Sequence, residues 1–209
     1  MTGLGNEQAR SAHAELRQSA DTIVQRSLSL HALFDEEWGE PSYHNQYHIM
    51  ATLETIDAVF DSIHANDPLD MRTQITAWNQ ANPDAKIFDQ MVLRQAFRIA
   101  FACHDVGNIT ASEPISEQGE IVFADEYQSV GAEERSKVVC KKFINDVFES
   151  HPQKTCVEVL ALHIIEQTKF GGEMHHQRPF WTLVQTIDQI GSAYFSRHQN
   201  EELVAGLIQ

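Results

Sequence analysis

No stretch of this chain approaches the roughly 18 uninterrupted apolar residues of a membrane-crossing helix, so a membrane partner is not expected. Cations are scarce as well. Fifteen Lys and Arg stand against 30 Asp and Glu, a net charge of −15, whereas polymeric nucleic acid is held by clustered cations. A small phosphorylated ligand survives that exclusion, because a bound divalent metal reverses the local sign. Cysteine is limited to Cys103, Cys140 and Cys156, far apart in sequence, in no C-x-x-C pattern, each inside an apolar helical stretch. That usage suits buried, reduced thiols rather than a disulfide framework. The opening MTGLGNEQARSAHAELRQ lacks the basic-then-apolar layout of a signal peptide, which points to the cytoplasm. Missing too are alternating strand patterns and internal repeats.

What is present is helical periodicity. Residues 6–35 contain no Gly or Pro and carry Leu16, Ala20, Ile23, Val24, Leu28, Leu30 and Phe34, as one long helix or two shorter ones. The cluster Gly39-Glu40-Pro41-Ser42 breaks that pattern, and Ser42 can cap the next helix. From Tyr43 to Ile63 the residues Ile49, Leu53, Ile56, Phe60 and Ile63 recur at helical steps, giving one buried face. Residues 64–86, with Pro68 and Pro83, read as an irregular connection with a short helical possibility at Met71–Trp78. The run from Asp89 to Asp105 is apolar on most sides and predicts a central helix stopped at Gly107. A loop over 108–130 and helices near 131–149, 154–168 and 178–196 complete the chain. The expected fold is therefore all-α and single-domain, with an N-terminal helical segment (1–40) packing on a bundle formed by 41–209.

Few titratable residues fall where such a core wants carbon. His104 and Asp105 close the most hydrophobic helix, after Ile99-Ala100-Phe101-Ala102-Cys103. A buried carboxylate there needs a cation or hydrogen-bond donors, which a divalent ion or the backbone of the turn can supply. Asp188 sits in a stripe of 184, 188, 191 and 195, beside an apolar side formed by Trp181, Val184, Ile187, Ile190 and Tyr194. It is either a ligand or a salt-bridge partner. His44 and His48, in Tyr43-His44-Asn45-Gln46-Tyr47-His48, lie one helical turn apart. Asn45 stands where the H-E-x-x-H zinc motif has its catalytic Glu, which removes a metalloprotease.

Taken in order, His48, His104–Asp105 and Asp188 make an H…HD…D series, and from Tyr43 to Asp188 the chain resembles the HD superfamily of metal-dependent phosphohydrolases. The resemblance implies an HD-type helical bundle with one or two divalent metals inside. His48, His104, Asp105 and Asp188 would be the ligands, and Asp105 would bridge if two ions bind. Mixed imidazole and carboxylate donors suit Mn, Mg, Zn or Fe. Such a centre activates water against phosphorus and neutralises phosphoryl oxygens. The Tyr43–His48 motif is also similar to the one that opens cyclic-nucleotide phosphodiesterases, which would make His44 the general acid for the leaving oxygen. Asn108 departs from that family's next His and from the Lys of the cyclic-dinucleotide branch. The match is nearer to small bacterial HD proteins, with Glu133 and Ser136 as their Glu-x-x-Ser segment and Thr168 and Lys169 as their Thr-Lys segment.

On that resemblance Glu133 orients water, the alternative being an ordinary first-turn helix acid. Lys169 contacts substrate phosphate or is simply a lysine past a helix end. His163 is an extra ligand or a hydrogen-bonded core histidine. The function implied is hydrolysis of a phosphomonoester or phosphodiester in a small, nucleotide-like substrate, with a homo-oligomer left open. Two alternatives belong to other classes: an HD-fold di-iron oxygenase, and a non-catalytic metal- or nucleotide-binding helical domain.

Overall fold

The absence of any breaker between residues 6 and 35 has the simpler of its two outcomes. In the computed structural model, which describes residues 3–38, 46–66, 70–109, 130–169 and 178–193, Gly3–Trp38 is one α-helix, α1. It is followed by α2 (Gln46–Asn66), α3 (Met71–Ala81), α4 (Gln90–Cys103), α5 (Val106–Ile109), α6 (Ala132–Val147) and α7 (Lys154–Gln167). A last helix, α8, covers residues 181–193. Among the described residues there is no strand. No helix among them is long and apolar enough to cross a membrane. Ser42, the expected cap, lies outside the described residues.

α4 is the axis of the bundle, packing against α1, α2, α6 and α7. Asp89 caps it by accepting the Met91 N–H at 2.8 Å, and its other oxygen pairs with His13 of α1. Val92, Leu93, Ala96, Phe97, Ile99, Ala100 and Phe101 are buried. Each large apolar side chain sealed in this way stabilises by about 1.5–3 kcal/mol. The one wetter stripe is Arg94 and Arg98, which pair with Asp57 and Asp61 of α2 and Asp21 of α1. α1 contributes Leu16, Ala20, Ile23, Val24 and Leu30 to the same core.

Three expectations are corrected. Over its described residues the 64–86 connection is more ordered than expected: the short helical possibility at Met71–Trp78 is realised as α3, extended to Ala81, and a tethered strap returns from it. Trp78 is buried and donates its indole N–H to the Ala85 carbonyl at 2.8 Å, while Asn79 exchanges two hydrogen bonds with Ile87. Trp78 supplies the core contact that outweighs the two flanking prolines. Gly107 does not stop the central helix either: α4 ends four residues earlier at Cys103, and Gly107 lies inside α5. Its lack of a side chain serves packing, since a Cβ there would stand 1.9 Å from the Ala132 carbonyl oxygen of α6. In α8, finally, Ile190 is 44% exposed, and the buried set is Leu183, Val184, Ile187 and Asp188. The helix is rolled toward its glycine. A Cβ on Gly191 would meet Thr52 Cγ2 of α2 at 2.3 Å, so that glycine is where α8 and α2 touch.

Candidate metal centre

Three helices and one turn bring the four polar residues together. His48 occupies the first turn of α2, one turn before Thr52. Asp188 lies nearly one turn before Gly191 on α8. The close Thr52–Gly191 crossing therefore delivers Asp188 to His48. His104 is the αR residue capping the C-terminus of α4 (φ −62, ψ −28), and Asp105 follows it before α5 begins.

The side chains are almost sealed from solvent: His48 is 1% exposed, and His104, Asp105 and Asp188 are 5% each. The Nε2 atoms of His48 and His104 are 3.4 Å apart. Asp105 Oδ2 lies 3.1 Å from His104 Nε2 and 3.5 Å from His48 Nε2. Asp188 Oδ1 is 3.7 Å from each imidazole. His48, His104 and Asp105 form a group that could hold a metal ion, with one donor atom from each within 4.8 Å of the others. Around an ion with bonds of roughly 2.0–2.2 Å, tetrahedral donors stand roughly 3.3–3.6 Å apart, so the spacing fits.

A local hydrogen bond aims the His104 ring. His104 Nδ1 is 2.7 Å from the Phe101 carbonyl, which places the proton on Nδ1 and turns Nε2 toward the cluster. The Phe101 ring flanks the same imidazole, centroids 5.3 Å apart. Burial pushes the His104 imidazolium down, but the charge and hydrogen bond of Asp105, the charge of Asp188 and the Phe101 carbonyl prevail and raise it to about 9. Two carboxylates gathered around imidazoles in a low-dielectric interior favour a positive charge between them. A proton on His104 supplies one; a divalent cation supplies more.

The remaining sequence candidates divide. Glu133 stands half-buried in the first turn of α6, with Oε2 3.1 Å from where a Cβ on Gly131 would lie, as a helix-start acid does. Lys169 is exposed beyond the end of α7. His163 turns its edge to Trp78, ring centroids 5.0 Å apart, with Nε2 3.3 Å from the Pro179 carbonyl. Burial lowers its pKa, consistent with a neutral, hydrogen-bonded core histidine. His44 lies outside the described residues. The three cysteines are free and buried, and the neighbouring Cys103 together with burial pushes the Cys140 thiol up.

Several residues that shape the centre carry little signal in the sequence. Gly191 and Thr52 set the α2–α8 crossing, and an isolated glycine inside a helical pattern is the available sign. Ser136 stands out in the sequence only as part of a motif, yet it is fully buried and joins α6 to the His104–Asp105 turn. His31, fully buried on α1 one turn beyond Ser27, falls on the helical stripe of Ile23, Val24 and Leu30; the Ser27 hydroxyl reaches the Ala102 carbonyl near the end of α4. In comparisons with known proteins, no family model, no curated protein and no solved structure matches this chain.

Proposed function

We propose that the chain is a metal-dependent phosphohydrolase of the HD type, acting on a phosphomonoester or phosphodiester in a small, nucleotide-like substrate. The observation that supports this reading most is the convergence of two imidazoles, 3.4 Å apart, with two carboxylates that each lie 3.1–3.7 Å from both rings, nearly sealed, at the positions of the H…HD…D series. His48, His104, Asp105 and Asp188 would hold one or two divalent ions, Mn, Mg, Zn or Fe. Such an ion lowers the pKa of water and neutralises phosphoryl oxygens. Asp105 orients the attacking water, and His44 protonates the leaving oxygen, which would otherwise depart as a strongly basic alkoxide. Glu133 and Lys169 are assigned water orientation and phosphate contact on the motif alone.

The di-iron oxygenase alternative needs a further histidine, and its candidate, His163, has Nε2 directed at the Pro179 carbonyl beside Trp78. A non-catalytic binding domain would use the same ligands without turnover.

The test is metal analysis of the purified protein, followed by phosphate release from a panel of nucleotide mono- and diesters under each of the four metals. Release with at least one metal, abolished in Asp105→Ala together with the bound metal, is the expected result. Metal binding without release from any substrate would favour the non-catalytic reading. Full metal content and full activity in Asp105→Ala would overturn the assignment.

A further inference from the structure

Adjacent residues of an unbroken α-helix project about 100° apart and do not face a common point. His104 and Asp105 are adjacent, continue directly from α4, and yet bring Nε2 and Oδ2 within 3.1 Å of each other. Something must turn the backbone between them and α5, and a side chain inserted into the i→i+4 ladder is a known cause of such breaks.

Ser136 of α6 is that side chain. In a continuous helix the His104 carbonyl would accept from the Asn108 N–H. Here the Asn108 N–H donates instead to the Asp105 carbonyl at 2.9 Å. The His104 carbonyl accepts from the Ser136 hydroxyl at 2.6 Å. The same hydroxyl oxygen accepts the Gly107 N–H at 2.9 Å. One buried hydroxyl thus spans the backbone on both sides of Asp105. Its neighbour Arg135 secures the far end of the turn, donating from Nε to the Gly107 carbonyl at 2.9 Å and from Nη1 to the Val130 carbonyl at 2.6 Å. The approach is possible because residue 107 is glycine, with the Ala132 carbonyl of α6 where a Cβ would stand.

We infer that Ser136, supported by Arg135, is the positioning residue of the metal centre: its hydroxyl wedges the α4–α5 break open so that His104 and Asp105 present donors to one ion. The inference rests on the metal-centre reading above. It concerns the geometry of the ligands and not contact with substrate, and no ordinary packing role requires one hydroxyl to bridge both sides of a ligand residue.

The experiment is titration of the metal-free protein with Mn(II) and Zn(II) against a competing chelator, alongside thermal unfolding of the same metal-free samples. Ser136→Ala is expected to weaken metal binding by about 10- to 100-fold, the usual effect of removing a partner behind a metal ligand. Ser136→Thr, which keeps the hydroxyl, should recover most of that loss, and Arg135→Gln should weaken binding by a few-fold. Should Ser136→Ala fail to fold, Arg135→Gln decides. A Ser136→Ala protein that unfolds at lower temperature but binds metal as tightly as the parent overturns the positioning role, leaving the metal centre intact. A parent protein that takes neither metal sinks the metal-centre reading and this inference with it.

Discussion

α2 and α4 carry two clusters of charge, and the two behave oppositely. On the outer side, Arg94 and Arg98 meet Asp57 and Asp61 of α2 and Asp21 of α1, in a partly open groove of about 220 Å³. There, each carboxylate faces a permanently charged guanidinium, and water screens whatever is left over. At the inner end, Asp105 and Asp188 face imidazoles whose charge is optional, with exposures of 5% or less. Guanidinium groups keep their charge across the working pH range; imidazoles leave the balance adjustable. The outer cluster therefore fastens helices, whereas the inner one suits the exchange of a proton for a metal ion.

The largest separation between the two should come from removing a carboxylate from each. Asp105→Ala should lose bound metal, and with it turnover, by more than a hundredfold, read as metal content and phosphate release. Asp57→Ala should leave both intact. Within the inner cluster, His48→Ala should lose the metal; on the proposed mechanism His44→Ala should keep it and lose rate by about 10²–10⁴-fold. Equal metal loss in both variants would make the two histidines joint ligands.

Gly107→Ala comes next. Its Cβ would meet a backbone oxygen of α6 at 1.9 Å, which no rotamer change relieves. A destabilisation of about 1–3 kcal/mol or more is expected in urea unfolding, with weaker metal uptake. Gly191→Ala should cost less, because the obstructing atom is a methyl carbon of Thr52.

A third difference is in pH. The His104 pKa is raised from 6.5 to about 9 in the folded protein. The stability this contributes to the metal-free protein is fully present below pH 6.5 and is lost as pH rises through about 9. Metal uptake should run the other way, tightening over the same range as the proton leaves. The urea midpoint of metal-free protein should fall from about pH 6.5 to about 9.5, and His104→Gln should flatten that fall. An unchanged midpoint in the parent would show that the carboxylates do not hold a proton on His104.

The smallest effect belongs to the outer cluster. Asp57→Ala should cost about 1 kcal/mol or less, since partly exposed ion pairs are worth little. A loss well above that in urea unfolding would mean that the network is a structural clamp.

Much of this arrangement is legible from residue types alone. Leu16, Ile23 and Val24, or Ile49, Ile56 and Phe60, repeat at helical steps, and each of these residues is buried. Polar residues embedded in apolar runs, His104, Asp105 and Asp188, stand out because burying them needs a partner. Ile190 misleads because periodicity finds an apolar face without knowing which neighbour it meets. Residues 64–86 mislead because Pro68, Pro83 and three asparagines outvote a single tryptophan in any local count, although Trp78 anchors the segment.

By itself the sequence determined the helices, the apolar faces that bury them and the short set of polar residues that had to be accommodated inside. These follow from local spacing and from the cost of desolvating charge. Tertiary structure decided which of those polar residues meet. His48 and Asp188 are 140 positions apart, and it is the Thr52–Gly191 crossing that joins them. His104 and Asp105 are neighbours in sequence, yet a hydroxyl from α6 bridges the turn that brings their donors together. Contacts of that kind depend on two helices at a fixed distance, which no single segment encodes.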